Sequence, residues 1–183
     1  MYQNVLKQTL ILLKYGNQAE LGFWLGYLLG QWWQSSKAGY CQRFVVVPIP
    51  LHKQRLQQRG YNQAALIAKG FCRTTRMTLA EHSLVRVRAT DAMHCLGANE
   101  RTINLAGAFQ LGNRLPPIRC PILLIDDIYT TGTTGNVAAL LLKQAGYTVI
   151  GIATVAQAVL SSRSAELAEP SHLRQKPNLR PNP

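Results

Sequence analysis

Apolar positions recur at helical spacing twice near the start of the chain: Val5, Leu6, Leu10 and Leu13 in one run, then Leu21, Trp24, Leu25 and Leu28. They predict helices over 3–14 and 18–34, joined by a turn at Gly16-Asn17. The pattern then changes. Phe44-Val45-Val46-Val47 is a continuous apolar run closed by Pro48 and Pro50, the signature of a strand buried on both faces that ends in a loop. A helix is predicted from about residue 55 to 71. Residues 72–120 interleave polar positions with short apolar runs at 83–87 and 108–111, which predicts irregular or two-stranded structure. Beyond Pro121 the pattern sharpens into a strand over 122–125, a loop over 126–134, a helix over 135–144 and, after a Gly146 stop, a strand over 147–153. This is a βαβ unit with an acidic, Thr/Gly-rich segment at the strand's carboxyl end.

Composition sets the scale of the fold. At 183 residues and 47% hydrophobic, with three Trp, seven Tyr and four Phe, the chain has the material for one domain with a real core. That domain is expected to end near Ala158. Residues 159–183 change character, with Ser161-Ser162, Pro170, Pro177, Pro181 and Pro183, and read as a mobile tail.

The charge is more pointed. Twenty Lys and Arg stand against eight Asp and Glu, a net of +12, and most of the excess lies ahead of the tail. Such a field favours an anionic partner, either a phosphorylated small molecule or a nucleic-acid backbone. Cys41, Cys72, Cys95 and Cys120 contain no Cys-x-x-Cys pair, so neither zinc-ribbon spacing nor a disulfide scaffold is indicated, and reduced, mostly buried thiols are expected. The apolar stretch 21–33 is too short to span a bilayer, and the N-terminal apolar stretch is too short for a signal-peptide core; a cytoplasmic location is expected.

In open α/β sheets, ligands bind beyond the carboxyl ends of the strands. The segment Asp126, Asp127, Ile128, Tyr129, Thr130, Thr131, Gly132, Thr133, Thr134 occupies that position. Two carboxylates can accept hydrogen bonds from ribose hydroxyls. The four threonines and Gly132 offer hydroxyls and backbone N–H groups to a phosphate, at the positive end of the following helix. Carboxylates repel phosphate, so the sugar belongs at the Asp pair and the phosphate farther along.

Four apolar residues, two acids and Thr-Gly-x-Thr resemble the phosphoribosyl-pyrophosphate (PRPP) motif of type I phosphoribosyltransferases. A second resemblance narrows the family. Val45-Val46-Val47-Pro48-Ile49-Pro50-Leu51-His52, then Arg55, Arg59-Gly60-Tyr61-Asn62-Gln63 and Ala64, is similar to the ComF signature. So are Arg86, Arg88 and Thr90, Leu96, Glu100-Arg101, Asn104 and Ala108-Phe109, with Leu13-Lys14-Tyr15 upstream. The match runs from about residue 5 to 158. Two features depart from the family: the cysteine pairs of its N-terminal zinc module are missing, and Met93 stands where Gln is common.

The resemblance implies a type I phosphoribosyltransferase-like α/β fold, a mostly parallel sheet flanked by helices, with a small hood built from about 72–120 and the N-terminal helices. It implies that Asp126 and Asp127 hold the ribose of PRPP and favour the positive charge that grows on it during transfer. Thr130, Thr131, Gly132, Thr133 and Thr134 would anchor the 5-phosphate. Leu51, His52, Lys53, Arg55 and Arg59 would receive the pyrophosphate, accompanied by Mg2+ with no direct protein ligand. Arg86, Arg88 and Arg101 would belong to the hood. His52 and His94 qualify as acid–base groups by residue type alone. Three functions stand side by side: a phosphoribosyltransferase, a non-catalytic module that handles single-stranded DNA with the competence machinery, and a PRPP or nucleotide sensor that reports through the exposed faces of residues 18–34.

Overall fold

The computed structural model describes residues 2–36, 43–88 and 107–158. In chain order it contains α1 (Tyr2–Tyr15), α2 (Ala19–Ser35), β1 (Val45–Pro48), α3 (Lys53–Arg59), α4 (Gln63–Thr75), β2 (Thr78–Leu79), β3 (Leu84–Arg86), β4 (Phe109–Leu111), β5 (Ile122–Tyr129), α5 (Thr133–Gln144) and β6 (Val149–Gln157). Four strands form a parallel sheet in the order β2-β1-β5-β6. The other two, β3 and β4, form a separate antiparallel pair.

Both central strands are apolar on both faces because both faces are covered. Val45, Val47, Ile122 and Leu124 pack with Ala138 and Leu142 of α5 and with Leu84 and Phe109 of the antiparallel pair. Val46, Leu123 and Ile125 pack with Ile67, Ala68 and Phe71 of α4 and with Leu10 and Leu13 of α1. The N-terminal helices and the β3–β4 pair therefore lie on opposite faces of the sheet.

This layering follows from the strand order. From β1 the chain crosses outward to β2, and from β5 it crosses the other way to β6. Crossovers of the same hand that run in opposite directions place their helices on opposite faces. Hence α4 lies on one side and α5 on the other, and the segments leaving β1 and β5 diverge at the sheet's carboxyl edge. A crevice opens where they part.

Three expectations are corrected. The helix predicted over 55–71 is two helices, because Gly60 adopts φ +79 and ends α3, after which the Asn62 side chain accepts the Ala64 N–H at 3.1 Å and starts α4. The loop predicted from residue 126 begins later: β5 continues to Tyr129, since β6 extends past Ala153 and pairs Asp126 with Thr154 and Ile128 with Ala156. The third correction concerns α2. Trp24 and Leu28, which marked its apolar stripe, are 58% and 59% exposed, and the face against α4 is formed by Gly22, Gly26 and Gly30.

Met93, His94, Arg101, Cys41, Cys95 and the tail lie outside the described residues. Cys72 and Cys120 are half-buried free thiols. Burial pushes the Cys72 thiol up to about 12, so it is no nucleophile at neutral pH. No helix among the described residues is long and apolar enough to cross a membrane.

Candidate functional site

The carboxyl edge of the sheet carries a cleft of about 1030 Å³. Its walls come from the segment after β1 (Ile49, Pro50, Leu51, Arg55, Arg59), from the end of β5 and the start of α5 (Asp126, Asp127, Thr130, Thr134), and from Lys14, Tyr15 and Asn17 at the end of α1. These are the two segments that diverge at the topological switch, with α1 closing one side.

Strand alternation places the two carboxylates. Side chains of successive strand residues point to opposite faces, so Asp126 continues the Ile122/Leu124 side, and Asp127 continues the Leu123/Ile125 side. Each therefore meets its own cation. Lys14 of α1 bonds Asp127 Oδ2 at 2.7 Å, both side chains being mostly buried, while Arg86 of β3 acts on Asp126 through space. Asp126 also accepts the Asp127 backbone N–H at 2.9 Å.

Burial, and next the Asp127 charge, raise Asp126 from the ordinary carboxylate value to about 7, against the pull of that N–H, Lys14 and Arg86. At neutral pH the pair shares charge rather than carrying two full negatives. Lys14→Met strips Asp127 of its counter-ion. The expected result is a loss of about 1–3 kcal/mol at pH 8, shrinking toward pH 5 as Asp126 takes up its proton and stops repelling the bared Asp127, read by urea denaturation at both pH values.

Downstream of the pair, Gly132 at φ +73 caps α5, and its carbonyl accepts the Asn136 N–H at 2.8 Å. A Cβ there would overlap the Tyr129 hydroxyl, so the loop closes only around glycine. Thr131 and Thr133 share a hydroxyl–hydroxyl bond of 2.7 Å. A second cavity of about 30 Å³ lies inside this turn, lined by Thr130, Gly132, Thr133, Thr134, Gly135 and Thr154 among others. It has room for a water molecule. A phosphate must take the outer side of the turn or exchange its oxygens for the Thr131–Thr133 bond.

Of the residues assigned to pyrophosphate, Leu51, Arg55 and Arg59 reach the cleft. His52 instead caps α3, its Nδ1 accepting the Gln54 N–H at 3.4 Å, and Lys53 is exposed. Arg86 lines the cleft and stacks over Phe109, with 5.5 Å from guanidinium carbon to ring centroid, whereas Arg88 is exposed. Among the described residues the cleft thus holds four cations, Lys14, Arg55, Arg59 and Arg86, against two carboxylates.

Sequence reasoning missed the part played by Lys14, Tyr15 and Gln63. Tyr15 is 78% exposed, with the Arg59 guanidinium 5.4 Å from its ring centroid. The Tyr61 hydroxyl donates to the Leu13 carbonyl at 2.7 Å and ties α1 to the start of α4. The signal was present in Lys14-Tyr15 and Tyr61-Asn62-Gln63, two polar clusters interrupting apolar helix patterns.

No family model matches the chain. It is 34% identical over 116 residues to competence protein F of Haemophilus influenzae, covering 62% of this chain and 50% of that protein. To competence protein ComFC of Bacillus subtilis it is 32% identical over 146 residues, 79% of this chain and 56% of that protein. To the DNA utilization protein YhgH of Escherichia coli it is 35% identical over 99 residues, 54% of this chain and 43% of that protein. The chain thus spans about half the length of these relatives. Among solved structures, the allosteric regulatory enzyme of purine biosynthesis superposes with a TM-score of 0.52 at 14% identity, over 79% of this chain and 30% of that one. A hypoxanthine phosphoribosyltransferase from Staphylococcus aureus is a weaker likeness, with a TM-score of 0.42 at 17% identity over 74% and 61% of the two chains. The chain is thus similar in sequence to the ComF proteins and has the type I phosphoribosyltransferase-like fold.

Proposed function

We propose that the cleft binds PRPP, and that the protein serves the handling of incoming DNA in the cytoplasm during natural competence. The observation that supports the ligand is the Asp126–Asp127 pair at the end of β5, each carboxylate on its own face of the strand, followed directly by the Gly132 turn that caps α5. The ribose hydroxyls donate to the carboxylates. The 5-phosphate sits against the Thr130–Thr134 turn and the positive end of α5. Arg55 and Arg59, across the cleft, face the pyrophosphate.

Among the described residues, no cluster of three His, Cys, Asp or Glu side chains could hold a metal ion. The local donors are two carboxylates, one of them engaged by Lys14. Magnesium brought in with the ligand would be held near the Asp126–Asp127 pair chiefly by phosphate oxygens, and would supply positive charge toward a leaving pyrophosphate. In a transfer reaction Asp126 and Asp127 hold the ribose and favour the positive charge developing on it. The competence role is carried over from the names of the relatives.

Titration calorimetry with PRPP, with and without magnesium, tests the reading beside an Asp126→Asn/Asp127→Asn double variant. Magnesium-dependent binding that disappears in the variant is the expected result. Silence from both proteins would end it. If binding appears, pyrophosphate release in the presence of candidate nucleobases separates an enzyme from a sensor.

A further inference from the structure

The wall of the cleft contains a buried donor that no described residue accepts. Gln63 is 2% exposed and lines the cleft, and its Nε2 has no hydrogen-bond partner among the described residues. The orientation of this amide is determined by its neighbour. Arg59 Nη1 donates to Gln63 Oε1 at 2.8 Å, and since a guanidinium cannot accept, the amide nitrogen must be the end left over. An orphaned buried amide donor keeps its full desolvation penalty. Such a group persists most readily where a ligand oxygen completes it.

Its surroundings favour an anionic oxygen. Gln63 is the first residue of α4, a thirteen-residue helix whose positive end opens on the cleft at Asn62, Gln63 and Ala64. Arg59 supplies a full positive charge beside it. Both side chains line the same cleft, so the amide and the guanidinium bonded to it border one space. Arg59 also lies over the Tyr15 ring, which is otherwise 78% exposed. An aromatic face next to an oxyanion site suits a flat ring carried by the same ligand.

We propose that Gln63, Arg59 and Tyr15 form a second subsite that takes a nucleoside monophosphate unit, its phosphate on Gln63 Nε2 and Arg59 and its base on Tyr15. The unit comes from a free nucleotide or from a single strand. At about 1030 Å³, the cleft is at the upper end of the ~300–1,000 Å³ usual for small-ligand sites, which leaves space for this unit beyond a phosphoribosyl group. The proposal goes beyond PRPP binding but shares Arg59 with the pyrophosphate position, so the two ligands compete for that guanidinium.

The test titrates the intact protein with thymidine 5′-monophosphate, inorganic phosphate and a 5′-phosphorylated hexathymidylate, in wild type, Gln63→Leu, Gln63→Glu and Tyr15→Ala, with PRPP–magnesium measured in parallel. Both Gln63 variants are expected to bind the nucleotide at least tenfold more weakly. Urea denaturation of each variant confirms that it is folded, since Gln63→Leu removes the unsatisfied donor but also the acceptor of the Arg59 bond. The Asp126→Asn/Asp127→Asn double variant, measured beside them, should lose PRPP and keep thymidine 5′-monophosphate, so that failure here and failure of the PRPP reading are told apart. Hexathymidylate binding well above the monophosphate assigns the subsite to a strand; equal affinity assigns it to free nucleotide. Nucleotide binding that is absent from wild type, or unchanged in the Gln63 variants, overturns the proposal. Phosphate binding as tight as the nucleotide, indifferent to Tyr15→Ala, overturns the nucleotide assignment.

Discussion

Asp126→Asn is expected to make the unliganded protein more stable and to impair its binding site. In the wild type, Asp126 sits beside Asp127 at the mouth of the cleft with its proton affinity raised to about 7. The folded protein holds that proton more tightly than the unfolded chain, whose aspartates titrate near 4. Below about pH 4 both states are protonated and the group has no effect. Between about 4 and 7 the unfolded chain gives up its proton first, so native stability falls as pH rises, and above 7 the full cost remains. Asparagine keeps the shape and an oxygen for the Asp127 N–H, but it never ionises. The variant should therefore match wild type near pH 4, pull ahead through neutrality and level off above pH 7, with an advantage of up to about 4 kcal/mol. Urea denaturation at pH 5 and pH 8 reads the difference. An advantage that is equal at the two pH values would place the titrating group elsewhere. If the PRPP reading holds, the same substitution weakens that ligand about 10–100-fold, the loss of a charged hydrogen bond to ribose. A gain in stability together with a loss of affinity marks a residue kept for its chemistry.

Much of this site was legible in the sequence because it depends on local pattern. Residues 122–125 are uniformly apolar, as a strand covered on both faces must be, and the acids and Thr/Gly run that follow lie at its carboxyl end wherever the strand sits in the sheet. What could not be read was which residues come from elsewhere to meet them. Lys14 is over a hundred positions away from Asp127, and only the packing of Leu10 and Leu13 onto the sheet brings it there. Arg86 reaches the other face on a three-residue strand whose partner, β4, lies far along the chain. The strand end was misplaced because Asp126 and Asp127 are poor strand formers, a local preference overruled by pairing with β6. The break at Gly60 was visible in outline, yet Gln54, Gln57 and Gln58 kept the helical reading continuous through it.

The misreading of α2 leads to the largest stability effect expected in the molecule. Periodicity of large apolar residues pointed to the stripe through Trp24 and Leu28, but the helix presents Gly22, Gly26 and Gly30 to α4, spaced by four. Interaxial distance between packed helices depends on the side chains at the crossing, and here the backbones meet almost directly. A Cβ on Gly26 would overlap the Ile67 carbonyl oxygen, and one on Gly70 of α4 would overlap the Phe23 carbonyl oxygen. In both cases the obstacle is helix backbone, which cannot rotate away as a side chain can. Gly26→Ala and Gly70→Ala should each cost about 3–5 kcal/mol, even though alanine improves helix propensity by about 1 kcal/mol. Gly30→Ala is the intermediate case. Its added Cβ meets the Thr74 Cβ at 2.8 Å and the Phe71 carbonyl oxygen at 3.1 Å, so the end of α2 must shift, but by less than at the two closer crossings. There the propensity gain offsets part of the clash, and a loss of about 1–2 kcal/mol is expected. Urea midpoints of the three single variants, with Trp24, Trp32 and Trp33 of α2 as the fluorescent reporters, give the order directly. Equal and small effects at all three glycines would mean that the helices are held apart by their larger side chains and that the close crossing contributes little. The predicted order instead makes α2 the brace behind α4, whose first turn holds Asn62 and Gln63 at the cleft.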